Sequence, residues 1–254
     1  MNRIVSFSGG LGSFMAAKRV IDLYGRKDVQ LLFTDTMTED DDLYRFLEET
    51  ADALNVELIR IADGRNIWEV FNDVKFMGNS RIDPCSRVLK RELARKWMEK
   101  EHCIPALVTL YVGIGWEEEH RLERIRENWK PYQIEAPMTE APFMERKDII
   151  KVLDEMGIEI PRLYKMGFPH NNCGGFCIKT GQAQFKMLLE KRPEFYAWHE
   201  EEQEKLFNKI GQHGFIRMTV DGVLKYLSLK EFREHLESKK EIDLFDFGGC
   251  GCFV

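Results

Sequence analysis

Short apolar runs alternate with amphipathic stretches along the first half of the chain. The segment from Ile4 to Ser13 reads as a buried strand closed by a tight turn, and a helix follows from about Phe14 to Tyr24. Val29 to Thr34 is a second strand, ending in Asp35-Thr36-Met37-Thr38-Glu39. A helix over about Leu43 to Leu54 places Leu43, Phe46, Leu47, Ala51 and Leu54 on one face, and Val56 to Ile61 is a third strand. Asp40 to Asp42 read as a solvated helix start, since acids favour a helix N-terminus. After a short helix at Ile67 to Phe71 and a loop at 78–84, a basic helix runs to about Glu101. Ala106 to Ile114 is a fourth strand, a charged helix ends near Trp129, Tyr132 to Pro137 is a short last strand, and Glu145 to Met156 is a helix.

Strands and helices in alternation predict a doubly wound, mostly parallel α/β sheet with crossover helices. Pro161 to Phe168 is a turn-rich link, and the sheet pattern stops near 180. Helix continues to about Ile210, Phe215 to Leu227 suggests a hairpin around Asp221-Gly222, and a helix follows from Leu229 to about Lys239. The predicted organisation is a nucleotide-binding domain over 1–180 and a small, mainly helical extension over 181–254 with a cysteine-containing tail.

The first turn carries the most specific chemistry. Gly9, Gly10 and Gly12, with Ser8 and Ser13, lie between strand and helix, where backbone N–H groups can approach an anion without a Cβ in the way. A plain strand-to-helix turn has the same composition. No Gly-Lys-Ser/Thr follows, so this is not the common ATPase loop. The glycine turn, Asp35-Thr36 and Gly113-Ile114 all fall at strand carboxyl ends, where ligands of such sheets bind.

Charge and cysteine content narrow the picture. A net charge of −6 gives no global basic field for nucleic acid, although Arg87 to Lys100, with Lys90, Arg91, Arg95 and Lys96, is a local basic segment that either faces a nucleic acid or is a solvated helix face. No apolar run reaches the roughly 18 residues of a membrane span, and no signal-peptide pattern opens the chain, so a cytoplasmic protein is expected. In a reducing compartment the six cysteines point to metal binding or catalysis before disulfides. Cys173-Gly174-Gly175-Phe176-Cys177 is a tight chelating loop suited to zinc or an iron–sulfur cluster. Cys85 opens a helix beside Arg87, Lys90 and Arg91, a setting that stabilises a thiolate. Cys103 has no motif around it and reads as a core residue.

Taken in order, these motifs resemble the phosphoadenylylsulfate (PAPS) reductase branch of the PP-loop ATP pyrophosphatase superfamily. Ser8-Gly9-Gly10-Leu11-Gly12-Ser13 is similar to the PP-loop Ser-Gly-Gly-x-Asp-Ser, and Asp35-Thr36-Met37-Thr38-Glu39 to an Asp-Thr-x-x-Glu segment. Cys85 through Lys90, Gly113-Ile114 with Glu118 and Arg121, and Leu163-Tyr164 through Gly167-Phe168 with Cys173 and Cys177 resemble three further family segments. The chain departs from the pattern at Gly12, where Asp is usual, at Gly115, where the reductases have Arg, and in the spacing of Cys173 and Cys177. The usual Glu-Cys-Gly-x-His tail is replaced by Gly249-Cys250-Gly251-Cys252.

The resemblance implies an adenine-nucleotide-dependent enzyme of sulfur transfer, splitting ATP to AMP and pyrophosphate to activate an acceptor. A PAPS or adenylyl sulfate reductase and a non-catalytic nucleotide-binding subunit are the alternatives. It implies nucleotide contacts from Ser6, Phe7, Ser8, Gly9, Gly10, Gly12, Ser13, Asp35, Thr36, Gly113 and Arg121, and phosphate or sulfate charge balance from Arg87 and Lys90. Catalytic roles fall to Asp35, Cys250 and Cys252, and metal ligation to Cys85, Cys173, Cys177 and Cys252. The implied cofactors are ATP or adenylyl sulfate, Mg2+, and a [4Fe-4S] cluster or alternatively Zn2+. A nucleic-acid acceptor, a sulfur donor or reductant protein and a homo-oligomer are the implied partners.

Overall fold

A computed structural model describes residues 1–79, 81–211, 214–220, 222–238 and 241–249. Five parallel strands form one sheet in the order β3-β2-β1-β4-β5. They are β1 (Asn2–Ser6), β2 (Val29–Asp35), β3 (Glu57–Ala62), β4 (Val108–Tyr111) and β5 (Gln133–Glu135). The chain starts in the middle, winds outward through β2 and β3, and then crosses to the other side of β1 for β4. Strand order therefore reverses between β1 and β4, and a crevice opens at their carboxyl ends.

Helices cover both faces. Helix α1 (Leu11–Tyr24) and α2 (Asp41–Leu54) lie over one face. Phe14, Phe46, Leu47, Leu31 and Phe33 meet there in one core. The other face is closed by Ala94 and Met98 and by Ile125 and Trp129, packed on Ile4, Leu32 and Leu110. Asp40 is not solvated as the acidic run suggests. It is 1% exposed, caps α2 through the Asp42 amide at 3.0 Å, and pairs with Arg162 at 2.7 Å and Arg192 at 3.1 Å.

The fourth strand is shorter than its apolar run, because Pro105–Leu107 forms a 3-10 turn before it. The long C-terminal helix is two helices, Gln182–Lys191 and Pro193–Ile210, broken where Pro193 cannot donate to the ladder. Ile216–Val220 and Val223–Leu227 form the expected antiparallel hairpin, and a helix follows at Leu229–Glu237. The predicted boundary at 180 precedes Gln182–Lys191. Residues on both sides of it, including Trp68, Phe71, Phe168, Phe176, Phe185, Tyr196 and Phe232, share one core. Among the described residues no helix is long and apolar enough to cross a membrane.

His199 sits inside that core, 0% exposed, stacked 3.8 Å from Phe176 and accepting from Trp68 Nε1 at 2.9 Å. Burial pushes its pKa well below the ordinary 6.5, so the native state keeps it neutral while the unfolded chain protonates it. Stability is then fully present above the unfolded pKa and is lost as pH falls below about 6.5, at a limiting slope of about 1.4 kcal/mol per pH unit. Urea unfolding between pH 5 and 7.5 should show this slope in the wild type and a flatter profile in His199→Gln.

Candidate nucleotide site

The turn after β1 is shaped by close approach. Gly9 has φ +73°, and a Cβ there would stand 3.0 Å from Leu43. Its carbonyl accepts from the buried Asn171 Nδ2 at 2.9 Å. Gly10 is the N-cap of α1 without a capping side chain, so the first amides of the helix face the crevice. Ser13 Oγ donates to the Gly10 carbonyl at 2.8 Å, and Ser8 Oγ donates to Ser13 Oγ at 3.3 Å. The Leu11 amide donates to the Tyr164 hydroxyl at 3.4 Å.

Across the crevice, Gly12 meets Gly113 backbone to backbone. A Cβ on Gly12 would lie 2.5 Å from the Gly113 carbonyl oxygen, and one on Gly113 would lie 2.6 Å from Ser13 N and Cα. The two glycines let α1 seat against the end of β4, which puts the loop at the switch point. A cleft of about 350 Å³ opens over it. Ser6, Phe7, Ser8, Gly10, Gly12, Ser13, Gly113, Lys90 and Arg121 all border that cleft. Tyr164, Arg146 and Asn171 border it too. Tyr164 lies within a motif already noted, but nothing in the sequence marks Arg146 or Asn171 as site residues. The Arg146 guanidinium lies 5.2 Å from the centre of the Tyr164 ring and donates to the Pro169 carbonyl at 2.6 Å.

Asp35 and Thr36 stand apart from that lining. Asp35 is 0% exposed, and its carboxylate accepts from Arg60 Nε at 2.9 Å, Tyr44 OH at 3.0 Å and the Met37 amide at 2.8 Å. Burial and the neighbouring Asp35 carboxylate raise the Tyr44 pKa well above its ordinary value. Thr36 Oγ1 donates to Glu39 Oε1 at 2.9 Å. Glu39 lies 3.7 Å from Lys90 Nζ and accepts from the Cys173 amide. Burial pushes the Glu39 carboxyl above the usual range, against the pull of Lys90. The Asp-Thr-x-x-Glu segment thus ties the cysteine loop to β2.

Cys85, Cys173 and Cys177 border one cavity of about 20 Å³ together with Thr36, Lys90 and Lys179. Cys173, Gly174 and Gly175 all have positive φ, which folds the loop back on itself. The fold thus brings these three thiols to one place. Even so, no group of three Cys, His, Asp or Glu side chains among the described residues is arranged to hold a metal ion. That volume takes one water-sized occupant, too little for a [4Fe-4S] cluster, and the described residues bring three thiols to it where a closed zinc site takes four ligands. Magnesium has no better donor set. The cleft's carboxylates are Glu117 and Glu118, Glu118 is paired with Arg121, and the loop itself has none. Cys250 and Cys252 lie outside the described residues. Cys103 is exposed rather than core, because the turn before β4 leaves its side uncovered.

The basic segment divides three ways. Lys90 is 9% exposed between cleft and thiol cavity. Arg95 packs over Trp129 at 5.1 Å. Arg87 and Arg91 border a second groove, which shares Arg121 with the cleft.

Comparison with curated protein sequences gave no match. Among solved structures, a predicted subunit of tRNA methyltransferase from Methanocaldococcus jannaschii is similar at 20% identity and TM-score 0.39, covering 61% of this chain and 76% of that one. A phosphoadenylyl-sulfate (PAPS) reductase from Candida auris, in a phosphate complex, is similar at 13% identity and TM-score 0.41, covering 66% and 77%. The phosphoadenosine phosphosulfate reductase domain matches residues 2–211, which include the loop, the strand ends and the cysteine segment. The chain therefore belongs to the phosphoadenosine phosphosulfate reductase domain family.

Proposed function

We propose that the cleft binds ATP and that the protein is an adenine-nucleotide-dependent enzyme of sulfur transfer. The carrying observation is the uncapped N-terminus of α1, held by the Gly12–Gly113 contact at the switch point of the sheet. The loop amides take the phosphates, with Ser8 and Ser13 as hydroxyl donors. Lys90, Arg121 and Arg146 balance the phosphate charge from the cleft wall, and Asp35 acts by positioning the end of β2. In the reaction an acceptor carbonyl oxygen attacks the α-phosphorus, and the bond to pyrophosphate breaks. A sulfur nucleophile then displaces AMP at the activated carbon. Preorganised cations stabilise the charge that develops on the phosphoryl oxygens.

In this reading Cys250 or Cys252 carries the sulfur as a persulfide charged by a sulfur donor protein: its outer sulfur attacks the activated carbon as AMP leaves, and the other cysteine then cleaves the S–S bond, freeing the thiolated product and leaving a Cys250–Cys252 disulfide for a reductant protein to reopen. Gly249, which precedes them in the sequence, donates its amide to the Lys179 carbonyl at 3.2 Å, and Lys179 borders the thiol cavity.

Calorimetry with ATP, and pyrophosphate release in the presence of acceptor candidates, test the proposal. ATP should bind, and Arg146→Gln should weaken it about tenfold, the scale of one charge-assisted hydrogen bond, with adenosine binding unchanged. Absence of ATP binding in the wild type would refute the reading. The Gly12–Gly113 contact also favours a second one, a nucleotide-binding subunit without turnover, because it leaves no space for the usual loop carboxylate. ATP binding without pyrophosphate release under any acceptor would select that alternative.

A further inference from the structure

Beside the cleft lies a larger groove of about 580 Å³ bordered by Arg81, Arg87, Arg91, Arg121, Arg124 and Lys179. Asp83 is the carboxylate among the lining residues, shared between Arg91 at 3.1 Å and Lys179 at 3.5 Å, and from outside the lining Glu118 pairs with Arg121, so the cations of the groove outnumber the acids that meet them. Arg87 pairs with Glu92 at 3.7 Å, through two half-exposed side chains, a contact that contributes little to stability. In a chain whose net charge is −6, this concentration of positive charge is a local feature and not a general basicity.

We propose that this groove holds the phosphodiester backbone of a single-stranded nucleic acid and delivers one of its nucleotides to the cleft. The proposal deepens the nucleotide-dependent reading by naming the acceptor class. Five of the six cations are arginines, whose planar guanidinium forks match phosphate oxygens two at a time. A single small anion needs two or three such groups, whereas six along a groove suit a run of phosphates. Phe76 and Ile82 line the same groove and are 38% and 56% exposed, offering apolar faces to unstacked bases. Arg121 borders both spaces, so the groove is continuous with the cleft wall where the acceptor must meet ATP.

Fluorescence anisotropy of the full chain with labelled 20-nucleotide single strands, RNA and DNA in parallel, tests this. Arg81 and Arg124 are exposed and lie outside the cleft lining, so Arg81→Glu with Arg124→Glu should leave ATP affinity unchanged. The double variant should bind the strand at least about tenfold more weakly, with a salt dependence reduced by roughly 1.4 in log–log slope, or about 0.7 per lost contact. Lys27→Glu with Lys205→Glu, both exposed and remote from the groove lining, makes the same change in net charge and should have little effect. Equal loss in the two double variants would overturn the groove, as would wild-type binding that the Arg81/Arg124 change leaves intact. Full competition by millimolar phosphate or sulfate would reassign it to a small anion, and equal binding of polyglutamate would reassign it to an acidic protein. ATP titrated into the same preparations keeps the two proposals separable: lost ATP binding with retained strand binding refutes the nucleotide reading alone.

Discussion

Gly12→Asp, which restores the carboxylate common to PP-loops, is expected to damage the protein instead of improving it. A Cβ at this position would stand 2.5 Å from the Gly113 carbonyl oxygen, and backbone on both sides leaves no flexible side chain to yield. Either α1 lifts from β4 or the loop opens. Overpacking of this kind costs about 1–3 kcal/mol of stability. The loop amides also lose their aim, so ATP affinity should fall by about tenfold or more, which corresponds to about 1.4 kcal/mol. Thermal melting and ATP calorimetry on the variant check both effects. A variant that keeps its melting temperature and binds ATP more tightly would show that the missing carboxylate, and not the close approach, limits the site.

Asp35→Ala should cost about 2–4 kcal/mol of stability, a range set by removing one partner of a buried, multiply hydrogen-bonded ion pair and reduced because Arg60 reaches water. Arg60, Tyr44 and the Met37 amide all donate to this carboxylate, which is itself 0% exposed. The loss should appear in urea unfolding. Asp35→Asn, which keeps the shape but not the charge, should recover part of it. Because Asp35 lies outside the cleft lining, the folded fraction of either variant should retain ATP affinity within a few-fold. A stable Asp35→Ala protein that no longer binds ATP would give this carboxylate a direct nucleotide role.

Much of this architecture was legible because strand and helix periods differ. The apolar runs at Val29 to Thr34 and Val56 to Ile61, each followed or preceded by a 3.6-period stretch, set out the winding of the sheet. Its glycines made the loop stand out: Gly9 takes a positive φ, and Gly12 lies where a Cβ would meet the Gly113 carbonyl oxygen at 2.5 Å. What the sequence hid was long-range pairing. Nothing local says that Asp40 is buried by Arg162 and Arg192, or that Glu39 reaches the Cys173 amide. The resemblance implies a catalytic role for Asp35, and nothing local in the sequence says that Arg60 from β3 pairs with its carboxylate. Cys85, Cys173 and Cys177 are grouped by motif and border one cavity, yet spacing along the chain does not fix the size of that cavity. Arg146 and Asn171 reach the cleft from segments distant in sequence, with no motif of their own.

Hydrogen exchange of the full-length protein with and without ATP tests the central claim most directly. Amides at the start of α1 have no intrahelical acceptor and exchange readily until a phosphate occupies them. ATP, but not adenosine, should slow exchange in the peptide spanning Phe7 to Phe14 and in the one containing Gly113. Protection elsewhere with none in these two peptides, at a concentration where calorimetry shows saturation, would contradict the account.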